Sequence, residues 1–387
     1  MTTSSPVFAQ IVRHLDPTEF ARCSALYPPP RRPRGLSAYD HFLAMCFAQL
    51  THRESLRDLA ACLQSRRAYH AGFRSRITRT NLAYANQHRD WRVFAAVAQV
   101  LMRRVRRAFE DSPTELELPE LAYALDASII DLSLTLFPWA HGQSGAAAVK
   151  LHTLLSLHSN APEWIAVTEA TFPEQKSLSL LPLQPGAFYI LDRGYLDFTR
   201  LARLHASSAW FVVRSKRHVR FRVLDSRPVD KSTGLRCDQL IRLKTRWSQR
   251  SYPHRLRRVR FWDTEHACTL VVLTNHLELP AATISLLYRK RWQVELFFKW
   301  IKQHLRLRVF LGRSPNAVRS QVWAAVCAYL LVALAKKASA LRQSLHQILQ
   351  IVSISAFDQV PLPELLAKFE EDTSIRNDSR QLVLKDI

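Results

Sequence analysis

The chain has 387 residues, more than one typical domain needs, and 48% of them are hydrophobic, which supports a packed core and excludes wholesale disorder. Lys and Arg outnumber Asp and Glu by 55 to 32, a formal charge of +23. Charge of that size repels itself on folding and points to a polyanionic partner, with nucleic acid ahead of an acidic membrane surface. No membrane partner is expected: the opening MTTSSPVFAQ has no signal-peptide core, and the longest apolar run, 322–335, has the length of a buried helix.

Residues 1–75 read as a helical N-terminal DNA-binding domain. A short helix is expected near 8–14, then the loop PPPRRPR at 28–34, then helices over 39–50 and 55–64. Arg53, Arg57, Arg66, Arg67, Arg74, Arg76 and Arg79 follow, with Tyr69, His70 and Phe73 among them. Few acids lie nearby to neutralise them, which favours contact with phosphates over plain solvation. Residues 76–113 read as a connector whose long helix, 86–110, carries Arg103, Arg104, Arg106 and Arg107 near its end. The six cysteines (Cys23, Cys46, Cys62, Cys237, Cys268, Cys327) show neither C-x-x-C nor zinc spacing, so a reduced, cytoplasmic protein without structural zinc is expected. Cys46, Cys62 and Cys327 lie in apolar helical patterns and read as small core hydrophobes.

Beyond Pro113 strands and helices alternate through a catalytic domain expected over 114–345. Residues 121–125 read as a strand ending in Asp126. Two more strands are expected at 152–158 and 164–169. The strand 187–191 ends in Asp192-Arg193-Gly194-Tyr195, and a helix over 198–205 leads to a strand at 210–213. Acids at strand ends are where α/β folds keep their chemistry, although a lone one is more often a cap. Segment 216–275 differs: short β-like runs at 220–224, 237–244, 257–262 and 268–273 are dense in Arg and Lys, as in an inserted basic β subdomain. An edge sheet kept soluble by charge explains the same pattern as well as a DNA contact does. Trp247 and Trp262 offer faces on which an unpaired base would stack. Residues 346–387 read as a C-terminal tail with a short helix.

The most informative stretch is 286–307, LLYRKRWQVELFFKWIKQHLRL, which has no Gly or Pro and reads as one helix. At 100° per residue, Tyr288, Arg291, Glu295 and Lys302 point to roughly 0°, 300°, 340° and 320°, a sector only about 60° wide. An ordinary ion-paired helix face is the bland alternative. Two or three converging carboxylates can instead hold two divalent metals for phosphodiester displacement. In such a site Glu295 joins Asp126 and Asp192 on the metals. Arg291 and Lys302 go to the DNA backbone, with Tyr288 hydrogen-bonding a phosphate or stacking.

At this point the chain resembles bacterial insertion-sequence transposases of the DDE class, in the IS-four family. Their Y-x2-R-x3-E-x6-K signature is met by Tyr288, Arg291, Glu295 and Lys302. DASIIDLSLTLFPWA from Asp126, AVKLHTLL from Ala148, GAFYILDRGYLDF from Gly186 and NAVRSQVWAAV near the end also look like the family. The resemblance implies an α/β fold: an RNase H-like catalytic domain with an inserted basic β subdomain, preceded by an all-α N-terminal DNA-binding domain. It implies Asp126, Asp192 and Glu295 as the catalytic, metal-binding acids, with Tyr288, Arg291, Lys302 and Arg193 on DNA. Two Mg2+ ions are implied, Mn2+ being the alternative. The implied activity is cut-and-paste transposition by a nucleoid-associated homodimer in a synaptic complex, acting on double-stranded DNA: terminal inverted repeats and target. Departures are Pro173-Glu174, where a His-Asp pair is expected, and Ala127 after the first acid. An RNase H-like nuclease without strand transfer, and a decayed copy that only binds DNA, are the alternatives.

Overall fold

A computed structural model describes residues 4–29, 35–65, 71–110, 121–132, 137, 139–140, 147–304 and 309–367. The chain divides into two compact units, Met1–Phe109 with Lys299–Ile387, and Glu110–Phe298.

The first unit is helical among its described residues. Along the chain run α1 (Val7–Val12), α2 (Pro17–Ala25), α3 (Ala38–Leu50), α4 (Leu56–Leu63), α5 (Arg79–His88) and α6 (Arg92–Phe109). Asp16, Ser37, Ser55 and Thr78 start four of these, each side chain accepting a backbone N–H that the helix leaves unpaired. On α6, Val93, Phe94, Val97, Leu101, Met102 and Val105 make a buried stripe while Arg103, Arg106 and Arg107 are exposed. The stripe packs on the Pro315–Ala338 helix, which also carries α3 and α1. By length and composition that helix is apolar enough to cross a membrane, with a mean hydropathy of 1.6, but 94% of the same window is buried within the protein. It is the core of this unit.

Three expectations change here. The helix expected over 86–110 is two: Arg89 adopts an extended conformation (φ −81°, ψ 132°), and the Asp90 carboxylate takes the Arg92 N–H at 2.8 Å to restart the next. The segment expected to connect is therefore packed core of the first unit. Residues 299–345, expected in the catalytic domain, group with the N-terminal helices, as does 346–387. Within that expected tail, helix Leu345–Ser355 opens on a Ser344–Gln347 capping box and packs on the Pro315–Ala338 helix. Cys46 and Cys327 are buried and Cys62 only partly so; all six cysteines are free. Residues 30–34 of the Pro/Arg loop, Arg66, Arg67, Tyr69, His70 and 368–387 lie outside the described residues.

The second unit is built on one mixed sheet. Its elements are β1 (Ala122–Leu132), β2 (Ala147–Ser156), β3 (Pro162–Glu169), α7 (Glu174–Ser177), β4 (Phe188–Leu191), α8 (Phe198–Ala206), β5 (Trp210–Arg214), β6 (Phe221–Arg227), β7 (Leu235–Leu243), α9 (Arg246–Ser251), β8 (Leu256–Asp263), β9 (Cys268–Thr274), α10 (Ala281–Lys290) and α11 (Trp292–His304). The strand order is β3-β2-β1-β4-β5-β9-β8-β7-β6. β1 to β3 form an antiparallel meander, and β4 and β5 run parallel to β1. Every residue of β4 is buried, as befits a strand covered on both faces. Tyr123, Leu125, Tyr189, Leu191, Phe211 and Val213 meet Leu201 and Leu204 of α8 in one core. A mixed α/β sheet with helices N-terminal to it fits the RNase H-like class.

Here too the structure differs from expectation. β1 does not stop at Leu125, because β2 pairs with it in unbroken register from Tyr123↔Ser156 to Leu132↔Ala147. Asp126 is thus mid-strand. The basic segment 216–275 does not make a sheet of its own: β9 pairs antiparallel with β5, and β8, β7 and β6 follow outward. The expected single helix 286–307 is broken at Arg291, whose N–H bonds the Tyr288 carbonyl at 3.2 Å, three residues back rather than four. Residues 305–307 lie outside the described residues.

Candidate active site

Strand register assembles the first half of the site. Leu125 of β1 lies beside Leu191 of β4, and Leu191 beside Val213 of β5. In parallel strands the residues that follow stay in step, so Asp126, Asp192 and Arg214 come side by side across three neighbouring strands. β4 ends at Leu191, which releases Asp192 into the 3-10 turn Arg193–Tyr195. Arg214 Nη1 is 3.7 Å from Asp192 Oδ1.

The other half comes from α10 and α11. α10 packs on β4, β5 and β8. From it the Tyr288 hydroxyl donates to Asp192 Oδ1 at 3.0 Å. Arg291, at the helix junction, reaches Asp126 Oδ2 with Nη1 at 3.3 Å and Glu295 Oε1 with Nη2 at 2.6 Å. Three of the four residues of the helical stripe therefore face the two strand acids. Lys302 lies two turns beyond Glu295 on α11, past residue 298 where the chain passes into the first unit.

Burial pushes the Asp126 carboxyl up to about 6; Arg291 and the Ala127 N–H oppose this, while Glu295 and Asp192 add to it. Burial works against the Arg291 guanidinium, but Tyr288, Asp126 and Glu295 outweigh it and raise its pKa. Tyr288 stays protonated well above its ordinary range, first because it is buried. Three mutually repelling carboxylates that supply only oxygen ligands suit hard divalent cations such as Mg2+ or Mn2+.

A cavity of about 330 Å³ opens beside the cluster, lined by Tyr288, Arg291, Trp292 and Glu295 and by Arg214, Asp263 and His266. Among the described residues, the group whose ligand atoms all lie within 4.8 Å of one another is Asp263, Glu265 and His266, at the β8–β9 turn. There His266 Nδ1 bonds Asp263 Oδ2 at 2.8 Å, which closes the hairpin end.

Comparison with known proteins gives one answer over most of the chain. The transposase DDE domain family matches residues 118–331, more than half of the sequence. The chain belongs to this family of DDE transposases. Separately, a domain of unknown function matches residues 3–74. The chain is 30% identical over 282 residues to "Putative transposase y4zB" of Sinorhizobium fredii (strain NBRC 101917 / NGR234), covering 72% of this chain and 77% of that one. It is 28% identical to "Probable transposase for insertion sequence element IS5377" of Geobacillus stearothermophilus, covering 62% of each. With "Putative transposase for insertion sequence element IS4SA" of Synechocystis sp. (strain ATCC 27184 / PCC 6803 / Kazusa) it shares 24% identity, over 65% of this chain and 69% of that one. It is an insertion-sequence transposase, of the enzyme class that cleaves DNA and transfers strands.

Two residues beside the candidate site escape sequence reasoning. Arg214 ends β5, and only the parallel register to Leu191 reveals that it stands beside Asp192. Glu174, noted as a departure, opens α7; its carboxylate lies 3.8 Å from Lys150 Nζ, and a Cβ added at Gly194 would meet it at 2.8 Å. The departure thus places a fourth acid against the Asp192-Arg193-Gly194 turn. Arg193 itself is exposed and lines a neighbouring basic cavity.

Proposed function

We propose that this transposase, a member of the IS-four family, performs metal-dependent cleavage and strand transfer at the terminal inverted repeats of its element. The observation that carries the reading is the convergence of Asp126, Asp192 and Glu295 around Arg291 and Tyr288. The three carboxylates would hold two Mg2+ ions, with Mn2+ the alternative. Bound there, these ions supply activation of a water or 3′-hydroxyl and stabilise the leaving oxygen of an in-line displacement.

The chain's own groups prepare the site for that chemistry. Tyr288 and Arg214 both meet Asp192 at Oδ1, the first by a hydrogen bond and the second as an ion pair. Arg291 ties Asp126 to Glu295 and offsets their repulsion, and its fork has the geometry to take a phosphate as DNA arrives. Lys302 and Arg193 are assigned to the DNA backbone. The helices before residue 110, with their exposed arginines on α6, serve as the DNA-binding domain, and β6 to β9 form the basic β insertion. The partner is double-stranded DNA, both terminal repeats and target, held by a homodimer that pairs two ends. A DNA substrate supports assigning the protein to the cytoplasm, on the nucleoid.

The test offers a repeat end already cut to a free 3′-hydroxyl, with a supercoiled plasmid and Mg2+. Joined product, lost in Asp192→Asn, supports the reading. Nicked plasmid without joining would contradict it and favour an RNase H-like nuclease.

A further inference from the structure

Beyond the catalytic cavity lies a second and larger one of about 800 Å³. Its wall carries Arg193, Arg214, Lys216, Arg217, Arg258 and Arg260, with no Asp or Glu among the lining residues. Arg214 lines both cavities, so the two meet at the side chain that pairs with Asp192. Strand alternation explains the wall: on β8, Val259 and Phe261 face the core, and Arg258 and Arg260 therefore face the other way. Arg260 stands opposite Val271 of β9. Arg193, Arg217 and Arg260 are exposed and form no ion pair among the described residues.

We propose that this groove binds one single strand of DNA, led out of the active site past Asp192. The inference rests on the transposase reading and adds the form of DNA and the residues that take it. The volume suits a single strand: about 800 Å³ is the scale of a site that encloses a small ligand, room for a few unpaired nucleotides. Chemistry agrees, since strands without sequence preference are held by a cationic groove plus flat side chains for the bases. Phe221 packs on the core with the Arg258 guanidinium over its ring, 5.1 Å from the centroid, so the flat surface offered to a base is that stacked guanidinium; Val219 and Val271 extend the apolar lining. Arg258 is fixed for this role by Gln239 Oε1 at 2.7 Å.

The test measures binding of a fluorescent oligonucleotide of about twelve nucleotides, single-stranded or as a duplex, to the full chain with Arg217→Ala/Arg260→Ala. Single-strand affinity should fall on the order of tenfold, and its salt slope by about 1.4, as two phosphate contacts are lost at roughly 0.7 each. Duplex affinity should fall less than about threefold. Equal loss for both forms, or no loss for either, overturns the proposal. Photocrosslinking of a thiothymidine-substituted single strand to the wild type guards against misfolding of the variant: crosslinks should fall within 214–221 or 258–271, and crosslinks elsewhere overturn it. A wild type that never cleaves DNA, yet binds single strands through these arginines, would remove the catalytic reading and leave the groove standing.

Discussion

On β8, Arg257 bonds the Asp238 carboxylate through Nε and Nη2 at 2.7 Å each, with both residues buried, while Arg258 and Arg260 face the groove. The same residue type thus has two physical roles within four positions. A buried, bidentate pair is costly to break from one side, because the remaining charge stays desolvated. Arg257→Ala should therefore lower unfolding stability by about 3–5 kcal/mol, and Arg257→Leu/Asp238→Leu by much less. Denaturant unfolding of the three proteins checks this; equal losses for the single and double variants would contradict it. Composition alone counts Arg257 as surface charge, since nothing in the string RLRRVRFWD says that Asp238 sits across the ladder.

At the scale of elements, α3 and α5 meet through a buried imidazole. His41 Nε2 bonds Asn86 Oδ1 at 2.7 Å, and burial pushes the His41 pKa down to about 3 from 6.5. Between those values the unfolded chain binds the proton and the folded one does not. Stability is therefore complete above pH 6.5 and falls as pH drops towards 3, by up to about 1.4 kcal/mol per unit. His41→Gln should flatten that slope in acid unfolding; an unchanged slope would show that His41 does not titrate as argued. The element boundaries themselves were legible from local signals wherever a cap or alternation marked them, as at Ser37, Ser55 and Phe198. They were illegible where tertiary pairing decides, as at Asp126, which β2 keeps inside its strand, and at Arg291, whose two ion pairs go with the helix break.

For the whole molecule, the formal +23 spreads over both units, and many of its cations have no acidic partner among the described residues. Specific and non-specific DNA binding should both weaken steeply with salt, log affinity falling linearly with log salt at about 0.9 per phosphate contacted on a duplex. A flat response by fluorescence anisotropy would remove the charge argument. The stripe Tyr288, Arg291 and Glu295 was readable because helical spacing is local; its partners were readable through the family resemblance, strand-end logic holding for Asp192 but not for Asp126, which lies mid-strand. Arg214 was not readable, since register between strands separated by a helix leaves no trace in spacing.

The decisive measurement is nicking of supercoiled plasmid with Mg2+, Mn2+ or chelator, for wild type, Glu295→Gln and Asp126→Asn side by side. The account predicts metal-dependent nicks by the wild type, a loss on the order of a hundredfold or more in each variant, and unchanged duplex binding. Nicking by either variant at the wild-type rate would mean that the carboxylate gathered around Arg291 is not part of the catalytic centre.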